Sequence, residues 1–85
     1  MSVKELKSAI SQAASNLESQ INELNSFLKN NDDLMQQISQ ELEGSSNAAA
    51  AGMKQALTNA KEQVSGTIGL VETAKNKLAR YGQSL

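Results

Sequence analysis

The sequence predicts an all-α protein, an antiparallel two-helix hairpin that dimerises into a four-helix bundle. The 85-residue chain contains no proline and is rich in residues with good helix propensity. Apolar residues recur every three or four positions in both halves of the chain, as they do on one face of a helix. This pattern stops at residues 42–47, Leu-Glu-Gly-Ser-Ser-Asn, where turn-forming and helix-capping residues replace it. We therefore predict one helical-hairpin domain over residues 1–85.

The first helix is predicted over residues 3–42. Ser2 is its N-cap, and Glu5 three residues later completes a capping box. The apolar stripe of this helix consists of Val3, Leu6, Ile10, Ala13, Leu17, Leu24, Phe27, Leu34 and Ile38. A second set, which lies one position further round and widens the face, consists of Ile21, Leu28, Met35 and Leu42.

The polar run Asn30-Asn31-Asp32-Asp33 is the one place where the first helix could be interrupted. These residue types are poor formers of helix interiors and good caps. A break there would give a three-helix bundle, which is the alternative architecture. The apolar stripe keeps its phase across the run, and this continuity favours a single helix.

The predicted turn covers residues 43–47, and its motif is Leu42 with Gly44. Gly44 has no Cβ and can therefore adopt the left-handed conformation that ends a helix. The second helix is predicted over residues 48–81, with Gly82 as the glycine that follows it. The apolar stripe of this helix consists of Ala50, Met53, Leu57, Ala60, Val64, Ile68, Val71, Ala74, Leu78 and Tyr81.

The two predicted helices carry opposite charge. Residues 1–43 hold three lysines against seven acids, a net charge of −4, whereas residues 44–85 hold five basic residues against two acids, a net charge of +3. Opposite charge favours antiparallel pairing of the two arms over association of either arm with itself.

The apolar face is too wide for one neighbouring helix to cover. A face that spans more than two heptad positions needs further contacts, and a small chain gains most of its stability from such burial. We therefore predict a dimer of hairpins, with a partly molten monomer as the alternative. The interface residues that we predict are Leu17, Leu24, Leu28, Met35, Leu57, Val64, Ile68 and Val71.

Composition disfavours several classes of function. Without histidine or cysteine the chain lacks the usual bases, nucleophiles and metal ligands, and adjacent Asp32 and Asp33 diverge by about 100° on a helix. A net charge of −1 disfavours nucleic-acid binding. The longest weakly polar run, residues 64–71, is far shorter than the roughly 20 residues of a membrane span. We predict that the chain is not an enzyme, with no catalytic residue, cofactor, metal, small-molecule substrate, nucleic-acid partner or transmembrane segment.

The layout resembles the W-x-G (Esx-type) family of small helical-hairpin proteins, which are substrates and partners of type VII secretion. Leu42-Glu43-Gly44 stands at the place of the family's Trp-x-Gly bend, and small residues follow it. Tyr81 stands where the family has an aromatic after the second helix, as part of an export signal. Leu replaces the Trp, and Leu85 stands where the family has an acid four residues after the aromatic.

The resemblance implies a non-enzymatic interaction module of a bacterial type VII system. Both departures fit a partner or targeting protein, one exported while bound to a protein that supplies the signal. The partners implied are a second copy, a related hairpin or the helical domain of a larger secreted effector, and Tyr81 would belong to a degenerate export or docking tail. The protein would be secreted without a cleavable signal peptide, or cytoplasmic before export. Two rival functions are a filament-forming secretion subunit and an intracellular coiled-coil adaptor.

Overall fold

The computed structural model describes residues 2–41 and 48–85 and has two long helices, α1 (Val3–Glu41) and α2 (Ala48–Ser84). They form an antiparallel hairpin that measures 64 × 15 × 15 Å. The predicted all-α hairpin is confirmed. The turn motif of Leu42 and Gly44 lies outside the described residues. In the described part of the chain, neither helix is apolar enough over a sufficient length to span a membrane.

The start of α1 is capped as predicted, because the Ser2 Oγ accepts a hydrogen bond from the Glu5 backbone N–H at 3.1 Å. From there α1 continues without a break through residues 30–33. The three-helix alternative is therefore wrong. The polar run is accommodated by contacts with α2: Asn31 is buried and bonded to α2, and Asp32 forms an ion pair with Lys61.

The two helices meet along a seam with a strict heptad repeat, in which steps of three and four residues alternate. On α1 the seam residues, all buried or half-buried, are Ile10, Ala14, Leu17, Ile21, Leu24, Leu28, Asn31, Met35 and Ile38. On α2 the buried or half-buried seam residues are Ala50, Lys54, Leu57, Val64, Ile68, Val71, Lys75, Leu78 and Gly82. The exposed Lys61 fills the remaining seam position of α2.

The register of the hairpin is constant along its length. Glu18 pairs with Lys75 and Asp32 pairs with Lys61, so 14 residues along α1 match 14 residues along α2. At the open end Gly82 lies against Ile10, since a Cβ added to this glycine would lie 3.2 Å from the Ile10 Cγ2. Gly82 therefore permits a close approach of the two helices. It does not end α2, which continues to Ser84.

The core of the hairpin is thin. Within the described residues the buried hydrophobic side chains are Ile10, Ile21 and Ala50, and no side chain there is less than 2% exposed. Two helices can cover only one face of each other, so most seam residues stay partly open to solvent.

Candidate interaction surface

The eight residues predicted as an interface all lie in the seam between α1 and α2, and all are half-buried. Their role in contacts between two molecules stays a prediction. In heptad notation Ile21 and Ile68 are a positions, and Leu24 and Val71 are d positions. The d positions turn towards one side of the hairpin and the a positions towards the other.

The side on which the d positions lie is apolar, and we call it the apolar side. In an antiparallel pair the g columns of both helices flank the d positions on this same side. The apolar residues of its g columns are Leu6, Ala13, Phe27 and Leu34 on α1 and Met53, Ala60, Ala74 and Tyr81 on α2. Gln20, Glu41 and Thr67 occupy the remaining g positions. Phe27 and Leu34 are each 45% exposed, which leaves large apolar side chains uncovered here.

Among residues 2–41 and 48–85, the exposed large hydrophobic residues all lie on the apolar side. All of them lie at d, g or c positions of the heptad, if the α2 repeat is extended to Leu85 just beyond the helix. They are Val3, Phe27, Leu34, Met53, Leu70, Tyr81 and Leu85. Leu70 is the most open of them at 74% exposure. Scattered single apolar residues are ordinary on a protein surface, but an array on one side indicates an interaction surface.

The opposite side, which the a and e positions form, is polar and closed by contacts between the helices; we call it the polar side. The Lys61 Nζ lies 3.0 Å from the Asp32 Oδ1, and Lys75 pairs with Glu18. The Thr58 hydroxyl lies 3.9 Å from the Met35 Sδ on the same side. All three contacts cross the seam between side chains, so this side already has its partners within the hairpin.

Three lysines occupy a positions of the α2 seam, namely Lys54, Lys61 and Lys75. A pattern of apolar residues does not predict these positions, because all three are charged. Long lysine side chains can pack their methylene groups along the seam and extend the ammonium group to solvent or to a carboxylate. A strict count of three- and four-residue steps from Leu57 would have reached all three.

Asn31 was also missed as a contact residue. It is only 5% exposed, and its Nδ2 donates a hydrogen bond to the Leu57 backbone carbonyl at 2.9 Å. No buried side-chain nitrogen or oxygen atom in the described residues lacks a hydrogen-bond partner. A single polar residue at a seam position specifies the register of a coiled coil, and here the polar residue bonds to a backbone carbonyl of the other helix.

Two shallow grooves lie on the polar side of the hairpin. One groove of about 270 Å³ is lined by Glu18, Ile21, Glu72, Lys75 and Asn76, and it contains the ion pair already described. A second, of about 370 Å³, lies beside Ile10 and Gly82 at the open end. No cluster of three or more acidic side chains that could hold a metal ion occurs in residues 2–41 and 48–85. The apolar side could pack against another apolar helix face.

The ion pairs of the polar side should contribute little to the free energy of unfolding. Their larger role is to favour one alignment of α1 against α2. In a double-mutant cycle of Asp32→Asn and Lys61→Gln, we expect a coupling energy of about 0.2–1 kcal/mol, since both side chains are half exposed. Urea unfolding followed by circular dichroism measures it, and the coupling should fall at high salt. A coupling that does not change between low and high salt would contradict an electrostatic pair.

Comparisons of this chain with protein-family models, with curated proteins and with solved structures give no match. The resemblance to the W-x-G family therefore stays a prediction, as do the activity, the partners and the location that it implies.

Proposed function

We propose that this protein is a non-enzymatic interaction module whose apolar side binds a helical partner. The observation that carries the proposal is the one-sided surface of the hairpin. The exposed large hydrophobic residues of the described helices lie on the apolar side, whereas the ion pairs between the helices lie on the polar side. This arrangement favours the binding of one partner, on the apolar side.

The thin core supports the need for a partner. Complete burial of a large aliphatic side chain contributes about 1.5–3 kcal/mol, and most seam residues here are buried only in part. A partner on the apolar side would complete the burial of the d positions, among them Leu17, Leu24, Leu57, Val64 and Val71. Five of the eight predicted interface residues would then contact both the other helix and the partner.

We place this module in type VII secretion, as a small secreted protein or as a partner protein that pairs with a related hairpin or an effector's helical domain. The support for this setting is the resemblance in layout, in which two long helices of similar length flank the midpoint motif. Tyr81, the residue of the degenerate export or docking tail, is 51% exposed on the apolar side and would be accessible there to a partner. Within residues 2–41 and 48–85 the polar side has no exposed large hydrophobic residue, which favours a closed complex over a filament.

The proposal can be tested in the host cell with a variant of the apolar side. Phe27→Asp combined with Leu34→Asp places two charges where the partner would have to bury them, while both positions are already solvent-accessible in the hairpin. We expect the wild-type chain to be recovered in a larger complex and in the culture medium. The variant should be recovered without a partner. Its amount in the medium should fall to the level that is seen when the secretion machinery is inactivated.

A matched control is Asn22→Asp combined with Ser15→Asp. It adds the same charge to the same helix at exposed positions away from the apolar side. This control should behave as the wild type in both measurements. Recovery of the wild-type chain as a free hairpin, or equal amounts in the medium with and without the secretion machinery, would contradict the proposal.

A further inference from the structure

One stretch in the middle of α2, residues 64–69, contains none of the strong helix formers. Its sequence is Val-Ser-Gly-Thr-Ile-Gly, so every member is a glycine, a serine or a β-branched residue. Glycine is the least favourable residue in a helix interior apart from proline, and β-branched side chains lose rotamer freedom there. α1 contains no glycine over its whole length. At this level of the hairpin, the low helix propensity is therefore a property of α2.

The packing of the hairpin requires neither of the two glycines in this stretch. A Cβ added to Gly66 or to Gly69 would come within 4 Å of no atom of α1, and neither glycine has a positive φ. Gly82 differs, because there the added Cβ would crowd Ile10. Alanine would fit at both Gly66 and Gly69. The effect of glycine at these positions is a helix that opens more easily.

Two threonine hydroxyls weaken the same part of α2 by bonding to the backbone of the preceding turn. The Thr67 Oγ1 donates a hydrogen bond to the Gln63 carbonyl at 3.0 Å, and the Thr73 Oγ1 donates one to the Gly69 carbonyl at 2.9 Å. Such bonds slightly destabilise a helix and often bend it. They reach from inside the stretch and from just beyond it, so both observations point to one weak segment.

The polar contacts between the helices leave this segment unattached. The three polar contacts of the connected half all reach residues 57–61 of α2. Within the described residues, no hydrogen bond or ion pair joins α1 to residues 62–74. Beyond them Lys75 forms one ion pair, and Gly82 has no side chain to bury in the seam. We call residues 70–85, which follow the stretch, the arm.

We propose that residues 64–69 are a hinge, about which the arm moves relative to the rest of the hairpin. The displacement is largest at the open end, which is farthest from the hinge. The arm carries Leu70, Tyr81 and Leu85, whereas the other exposed large hydrophobic residues of the apolar side lie outside it. The apolar side therefore has a fixed part and a movable part, and its shape can adjust to a partner. This use of the hinge rests on the proposed function, but the hinge itself is a property of the free chain.

Distances between spin labels on the purified full chain test the hinge. The chain has no cysteine, so a pair of introduced cysteines provides the only attachment sites. One pair, Ser8→Cys with Gln83→Cys, spans the open end, and a second pair, Gln36→Cys with Gln55→Cys, spans the connected half. All four positions are exposed. Double electron–electron resonance should give a distance distribution at least about twice as wide for the first pair as for the second.

The decisive variant is Gly66→Ala with Gly69→Ala, which strengthens the helix without changing the packing. It should narrow the open-end distribution to about the width of the connected pair. Gly52→Ala is the control, because it also has open space for its Cβ but lies before the hinge. It should leave the open-end width unchanged.

Two results would refute the hinge. One is an equal width for both label pairs in the wild type, and the other is an open-end width that the double alanine variant does not change. In either case, a cellular complex that depends on Phe27 and Leu34 would still support the proposed function. A hinge in a chain that forms no such complex would separate the two in the opposite direction.

Discussion

Replacing Ile21 with alanine is expected to lower the free energy of unfolding by about 2–5 kcal/mol. Ile21 is 5% exposed and is one of the buried hydrophobic residues named above, at the middle of the seam. The substitution removes buried methyl and methylene groups, and a core formed by two helices has few neighbours that could move in to fill the space. Because small domains are only marginally stable, we expect a loss of this size to unfold most of the protein at room temperature.

Urea unfolding followed by circular dichroism at 222 nm measures this effect, and two comparisons give its scale. Ile21→Val should lower stability by only about 0.5–1.5 kcal/mol. Leu70→Ala removes a similar volume from a side chain that is 74% exposed, so at low protein concentration its effect should be small. Equal losses for Ile21→Ala and Leu70→Ala would mean that the seam is not the core of the hairpin.

Replacing Asn31 with leucine is expected to raise the free energy of unfolding by about 1–3 kcal/mol and to loosen the register. Asn31 is 5% exposed at a d position, where leucine would bury a large apolar side chain. The Leu57 carbonyl, which now accepts from the Asn31 Nδ2, keeps its place in the α2 helix without this donor. The variant would lose the only buried polar side chain of the described residues, and with it the penalty for sliding one helix along the other.

Thermal unfolding and light scattering together test this prediction. The melting temperature of Asn31→Leu should rise, while its scattering should reveal assemblies of more than one size. Asn22→Leu, which adds the same side chain at an exposed position, should leave both measurements close to the wild type. A destabilised Asn31→Leu variant would contradict the view that Asn31 provides specificity at the expense of stability.

The start of α1 was well predicted because a local signal determines it, the Ser2 cap that accepts from the Glu5 backbone N–H. The end of α2 was not, because Gly82 lies inside the helix, which continues to Ser84. The continuity of α1 also followed from the phase of the stripe between Phe27 and Leu34. These features depend on residues close in sequence, so one sequence is sufficient to predict them.

The division of the apolar stripe between seam and surface was not predictable. The stripe read from the sequence consists mainly of d and g positions, whereas the helices meet through a and d positions. Phe27 and Leu34 are therefore exposed, and Lys54 and Lys75 lie in the seam. Hydropathy alone cannot tell which half of a wide stripe faces the other helix of the same chain. Ion pairs between distant residues, such as Glu18 with Lys75, influence that choice.

The constant register also determines how the chain can fold. Contacting residues are separated by 26 positions for Asn31 and Leu57, and by 57 positions for Glu18 and Lys75. Each doubling of loop length adds only about 0.6 kcal/mol to the entropic cost of closing the loop. Once one pair of seam residues is in contact, the next pair along the helices is already close together. We expect the hairpin to close like a zipper from its connected end. Opening should then begin where Ile10 meets Gly82, beside both chain ends, and advance by one heptad at a time.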